Sequence, residues 1–147
     1  MKHAPLFPPG LHQVSEADLD NHFLRAFAAS QTRPPLIAGL RAYLASLKRV
    51  GVAFEVWLDG SFCTEKVDPN DVDLVVFADE SELNGLTPGV QQYLFTLLDR
   101  PSSKAKFGCD VLFALAGDVN ARSYWRGWYG FDRDEQPKGI AKVVLAP

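Results

Sequence analysis

The chain has 147 residues, enough for one domain with a substantial core, and 47% hydrophobic with 22% charged residues fits an ordinary globular protein. Its formal net charge of −3 leaves no general basic field for gripping duplex DNA, and no apolar run approaches the ~18 residues of a membrane span. The two cysteines, Cys63 and Cys109, have no metal-ligand spacing, and no apolar leader precedes Pro8-Pro9, so a reduced, cytoplasmic setting is expected.

Residues 1–14, with Pro5, Pro8, Pro9 and Gly10, read as an extended N-terminal arm of a single domain spanning 1–147. Ser15 is placed to cap a helix whose apolar face carries Leu19, Phe23, Ala26 and Phe27. Pro34-Pro35 ends that segment and opens an amphipathic helix over 36–49, with Leu36, Ile37, Leu40, Tyr43, Leu44 and Leu47 on one stripe. Residues 52–58 read as a strand, and 72–77 as a short strand apolar enough to be buried on both faces. Thr87-Pro88 starts a helix over 88–99, which Pro101 ends. Residues 107–114 read as a third strand, in which Gly108, Asp110 and Leu112 share one face. Helix is expected over 121–129, a charged turn over 131–136, and a last strand over 140–145. Apolar strands alternating with amphipathic helices predict a mixed α/β (α+β) domain, with 52–58, 72–77 and 107–114 side by side in one sheet.

The stretch that carries chemistry runs from Val56 to Phe77. An apolar run ends in Gly60-Ser61, and Asp71 and Asp73 flank Val72 at the mouth of the next apolar strand. Residues i and i+2 of a strand project to one face, so both carboxylates point together, where a metal can sit. Gly60 permits a tight turn and close backbone approach, and Ser61 offers a hydroxyl and an N–H to a phosphate oxygen. Asp110, inside an apolar strand, is costly to bury unpaired and asks for a metal, a cation or an exposed rim.

Gly60-Ser61, nine residues, Asp71-Val72-Asp73 and a later strand carboxylate, Asp110, resemble the DNA polymerase beta-like nucleotidyltransferase superfamily. Together with Lys66, Pro69-Asn70 and Lys138-Gly139-Ile140, the run looks like a small stand-alone bacterial branch of unsettled function. The resemblance implies a nucleotidyltransferase-like mixed sheet of three or more strands backed by helices. It also implies Mg²⁺-dependent (or Mn²⁺-dependent) transfer of NMP from an NTP such as ATP to a hydroxyl of a protein, RNA or small molecule. Asp71, Asp73 and Asp110 would be both catalytic and metal-binding; Gly60, Ser61 and Lys66 would contact the nucleotide. Lys104, Lys106, Arg133 and Lys138 are further candidate cations. Many members carry a second glycine soon after the serine; here Glu65 stands there.

Other readings compete. Asp68-Pro69-Asn70-Asp71 is also an ordinary turn, but that leaves Asp110 unexplained. Neither a calcium loop nor a nucleophile elbow fits the spacing. Tyr124, Trp125, Trp128, Tyr129 and Phe131 can stack a base, although such a stripe is expected to be core. The alternative function is a non-catalytic or partner-modifying component of a toxin–antitoxin or phage-defence pair, its protein or RNA partner encoded nearby.

Overall fold

The computed structural model describes residues 3–131 and 137–147. Five strands form one sheet: β1 (Gly10–Gln13), β2 (Phe54–Asp59), β3 (Val72–Ala78), β4 (Cys109–Leu115) and β5 (Gly139–Leu145), in the order β1-β5-β2-β3-β4. β2 runs antiparallel to both its neighbours, while β1–β5 and β3–β4 are parallel pairs. The helices are α1 (Leu19–Phe23), α2 (Arg33–Lys48), α3 (Glu80–Asn84), α4 (Pro88–Leu98), α5 (Arg100–Phe107) and α6 (Val119–Tyr129). The fold is mixed α/β, and β2, β3 and β4 lie side by side as their sequences predict.

The strands alternate between two cores. Val56, Leu58, Leu74, Val76 and Val111 face the larger one, which α2, α4 and α5 close. Trp57, Val75, Phe77 and Ala114 face the smaller one, closed by Tyr129 and the half-buried Trp125 of α6. Strand parity therefore puts Asp59, Asp73 and Asp110 on the α6 face, away from the main helical layer. Helix α2 packs by its apolar stripe, and Tyr43 donates from its hydroxyl to the Leu97 carbonyl at 2.8 Å, tying α2 to α4. Gly39 sits mid-helix because a Cβ there would come within 2.0 Å of the Phe107 carbonyl oxygen.

The start of α2 is held from a distance. The Asp68 carboxylate accepts from the Gln31 and Thr32 N–H groups at 2.8 and 3.2 Å and from the Ser30 hydroxyl. Those bonds hold its pKa below the usual carboxylate range, the Gln31 N–H foremost. Arg33, fully buried, gives all its guanidinium donors to backbone carbonyls: Phe23, Phe62, Thr64 and Lys66, at 2.8–3.2 Å. Its plane lies 3.7 Å from the Phe27 ring centroid. One side chain thus fixes the loop that follows Gly60-Ser61.

Several elements differ from expectation. Pro101 does not simply end α4. It sits in the first turn of α5, with Asp99 accepting from the Ser102 N–H and Gly108 (φ 72°) closing the helix in the left-handed region. The third strand therefore starts at Cys109 rather than 107. The N-terminal arm is extended, but it supplies an edge strand, β1. The helix after Ser15 stops at Phe23, and the Ser15 hydroxyl donates to Asp18 instead of capping it. The aromatic stripe of α6 is core only in part: Tyr129 is buried and Trp125 packs against the smaller core, while Tyr124 and Trp128 are 60% and 67% exposed. Residues 132–136, with Arg133 and most of the charged turn, lie outside the described residues.

Candidate metal centre

In the β3–β4 register Asp73 stands opposite Asp110, and in the β2–β3 register opposite Asp59. Three carboxylates thus cross three neighbouring strands in a row, on one face. Asp71 lies two residues before Asp73, just ahead of β3. Asp71, Asp73 and Asp110 each offer an oxygen within 4.8 Å of the others, all half-buried. Three such oxygens suit a hard divalent cation.

Gly60 completes the wall. It turns at φ 76°, and a Cβ at that position would lie 2.1 Å from Asp73 Oδ2. A side chain there is excluded by the carboxylate as well as by the backbone. Ser61 follows in a short 3-10 turn, its carbonyl accepting from the Thr64 N–H and hydroxyl at 3.1 and 2.7 Å.

Resident cations answer three of the four carboxylates, Asp110, Asp71 and Asp59. Arg100 grips Asp110 with two nitrogens, Nε to Oδ1 at 3.0 Å and Nη2 to Oδ2 at 3.2 Å. Lys104, one turn later on α5, lies 3.3 Å from Asp71. Lys138, just ahead of β5, lies 3.0 Å from Asp59. Lys104 and Lys138 were candidates from the sequence. Lys66 is not one of the cations at the carboxylates; its carbonyl serves the Arg33 clamp, and Lys106 lies over the Phe107 ring. Arg100 is one of the basic residues gathered in the last third of the sequence, and its pairing with Asp110 comes from the fold.

Asp59 was also missed, although the cost of a carboxylate in an apolar strand, applied to Asp110, applies to it equally. It is 1% exposed, and its Oδ1 has no hydrogen-bond partner among the described residues. Burial pushes its pKa up to about 7, against the pull of Lys138. Burial, then repulsion from Asp71 and Asp110, raises Asp73 to about 6. An unpartnered buried oxygen beside a repelling triad, with cations drawn onto it, marks a site suited to positive charge.

These shifts carry a sign. Both groups bind protons more tightly folded than unfolded, where a carboxyl titrates near ~3.9. Stability therefore falls as pH rises from about 4 through 6 and 7. In EDTA the protein is expected to melt a few degrees higher at pH 5 than at pH 7.5. Asp68, Asp79 and Asp99, whose pKa values are lowered, exert their opposite effect below that window. Asp73→Asn should lose part of the gain; identical profiles for the two proteins would show that Asp73 is not the titrating group.

Fold and site together define an α/β domain with a carboxylate row on two parallel strands and their antiparallel neighbour. Over residues 1–144 the chain matches a family of unknown function (DUF6932), and it belongs to that family. Comparison with curated proteins and with solved structures returns no match. No helix among the described residues is long and apolar enough to cross a membrane.

Proposed function

We propose that the protein is a metal-dependent nucleotidyltransferase, and that Asp71, Asp73 and Asp110 hold its divalent cations. The observation that carries this reading is the meeting of three carboxylate oxygens within 4.8 Å beside the glycine turn. Mg²⁺ or Mn²⁺ would supply charge neutralisation for the triphosphate and a lower pKa for the attacking hydroxyl. The chain's own residues do the rest. Gly60 and Ser61 present backbone N–H groups and a hydroxyl to phosphate oxygens. Arg100 and Lys104, paired with Asp110 and Asp71, would be free to meet charge on the leaving group if those carboxylates held the cations. The acceptor oxygen bonds to the α-phosphorus, the bond from that phosphorus to the bridging oxygen breaks, and pyrophosphate leaves with the electron pair. Asp110 would receive the hydroxyl proton.

The test is incubation with each α-labelled NTP and Mg²⁺ or Mn²⁺, with and without the product of a neighbouring gene. Transfer of label to protein, RNA or a small molecule is expected. Melting curves give an independent readout. With a dissociation constant of about 1 mM, 10 mM Mg²⁺ adds about 1.4 kcal/mol, or roughly 3–6 °C, to the wild type. NTP should add to this, and Asp71→Asn should show little of either. No labelling with any NTP, together with identical responses of wild type and variant, would remove the enzyme reading.

That result would favour a second reading, a non-catalytic component of a toxin–antitoxin or phage-defence pair. Its support is the internal neutralisation of the row by Arg100 and Lys104, together with Glu65 in the loop where a glycine is usual.

A further inference from the structure

A cavity of about 370 Å³ lies between α6, the N-terminal arm and the start of β5. Gly10, Arg126, Gly127, Phe131, Lys138 and Ile140 are among its walls. Ile140 faces the α6 side of the sheet, the side that carries the carboxylate row, and Lys138 belongs to both places. Its side chain, only 11% exposed, ends 3.0 Å from Asp59, whose strand partner is Asp73. The Lys138–Asp59 pair therefore joins the cavity wall to the proposed metal ligand Asp73. A buried ion pair is weak as a source of stability, because desolvating both ions offsets their attraction. The pair does fix where Lys138 stands.

The walls select a chemistry. Among the described lining residues there are two cations, Arg126 and Lys138, and no carboxylate. Glycines on α6 and on the arm leave backbone open to a flat group, and Phe131 offers a half-exposed ring. An aromatic ring left partly in water near an arginine suits the stacking of a base, whose ring has faces that any aromatic can meet. The volume lies within the range of small-molecule pockets, roughly 300–1,000 Å³, and exceeds what a lone phosphate would fill.

We propose that this cavity is the acceptor pocket of the site and that it takes a nucleoside monophosphate unit, free or at the end of an RNA, with Arg126 and Lys138 on its phosphate and Phe131 against its base. Asp59 is then a positioning residue, acting through Lys138. The pocket's role as acceptor rests on the transfer reading; its binding chemistry does not.

Calorimetric titration in EDTA tests it, using AMP, inorganic phosphate and a short oligoadenylate as probes. AMP is expected to bind saturably and inorganic phosphate about tenfold more weakly, since it lacks the stacking ring. Arg126→Ala and Phe131→Ala, both at exposed positions, should each weaken AMP by about tenfold. Lys138→Met leaves Asp59 buried without its cation, so the double variant Asp59→Asn/Lys138→Met provides the folded comparison and should also bind AMP more weakly. Oligoadenylate binding well above AMP identifies an RNA end as the source; equal binding identifies the free nucleotide. Absence of saturable binding by AMP and oligoadenylate alike, phosphate binding as tightly as AMP, or wild-type affinity in both Arg126→Ala and Phe131→Ala would each overturn the pocket. Asp71→Asn separates the two ideas: it should lose Mn²⁺ binding and keep AMP binding. Labelled transfer without AMP binding leaves the transfer reading standing and the pocket refuted; AMP binding without transfer does the reverse.

Discussion

Replacing Arg33 with methionine is expected to lower the melting temperature by roughly 10–15 °C, from a loss of about 4 kcal/mol. Methionine keeps most of the volume and packing against Phe27 but none of the donors. The carbonyls of Phe23, Phe62, Thr64 and Lys66 then lose their guanidinium partner inside the protein. A buried acceptor left unpaired costs about 1–3 kcal/mol, and partial relaxation of the loop keeps the sum below four such terms. Lysine cannot substitute well. It keeps a charge but has a single donor centre, so it cannot reach carbonyls spread around the edges of the planar guanidinium. Burial already pulls the Arg33 pKa down, and an ammonium in its place would lose its proton more readily. Arg33→Lys should therefore fall between wild type and Arg33→Met. A melting temperature within about 3 °C of wild type for Arg33→Met would mean that the loop satisfies its own carbonyls. The loop carries Gly60-Ser61 at its head, so Arg33→Met should also weaken Mg²⁺-NTP stabilisation, measured well below the melting transition.

The second large effect is on chemistry. Asp73→Asn is expected to reduce nucleotidyl transfer by about 10³-fold or more while leaving the melting temperature in EDTA equal or higher. Asp73 stands at the middle of the row, between Asp59 and Asp110 and against Gly60. In the proposed reaction it is a ligand at the centre of the cation site, where charge stabilisation supplies several kcal/mol. Each 1.36 kcal/mol is tenfold in rate, so losing about 4 kcal/mol gives that factor. In the absence of cations the same carboxylate is repelled by Asp71 and Asp110 and desolvated, so removing its charge relieves strain. Electron paramagnetic titration of Mn²⁺ should show the affinity fall in parallel. A variant that keeps transfer within about tenfold of wild type would place Asp73 outside the chemistry.

The triad's positions are readable in the sequence because they depend on local geometry. Asp71 and Asp73 share a face by strand parity, and Asp110 follows from the same rule once β4 pairs in register with β3. Helices α2 and α4 are readable from their stripes and their prolines. The rest depends on segments far apart in the chain. Asp59 is an ordinary strand-terminal residue until β5 brings Lys138 beside it. Arg33 sits in an unremarkable Thr-Arg-Pro-Pro run until residues 62–66 fold over it. Helix α5 has both its signals, an N-capping Asp99 and a C-terminal Gly108, but Pro101 reads first as a stop and hides them. The α6 aromatics have the spacing of a core stripe, but only Tyr129 and Trp125 meet Trp57, Val75 and Phe77; Tyr124 and Trp128 turn to solvent. What the sequence leaves out of the candidate site is therefore Asp59, the pairing of each cation with its carboxylate, and the pocket, while the triad is in view.

The strand order also dictates when the site can exist during synthesis. β5, the last strand among the described residues, inserts between β1 and β2, pairing Gly10 with Gly139 and Phe54 with Leu145. While the polypeptide is still emerging from the ribosome, β2, β3 and β4 can pair, but β2 keeps a bare hydrogen-bonding edge and β1 has no neighbour. Asp59 waits on that edge without its lysine. Pairings of such sequence separation form slowly, and an open edge of Val56-Trp57-Leu58 is the kind of surface that chaperones shield. A nascent chain stalled before residue 138 would carry the whole triad on a half-built sheet, so the carboxylate row would stand complete before Lys138 arrives to answer Asp59.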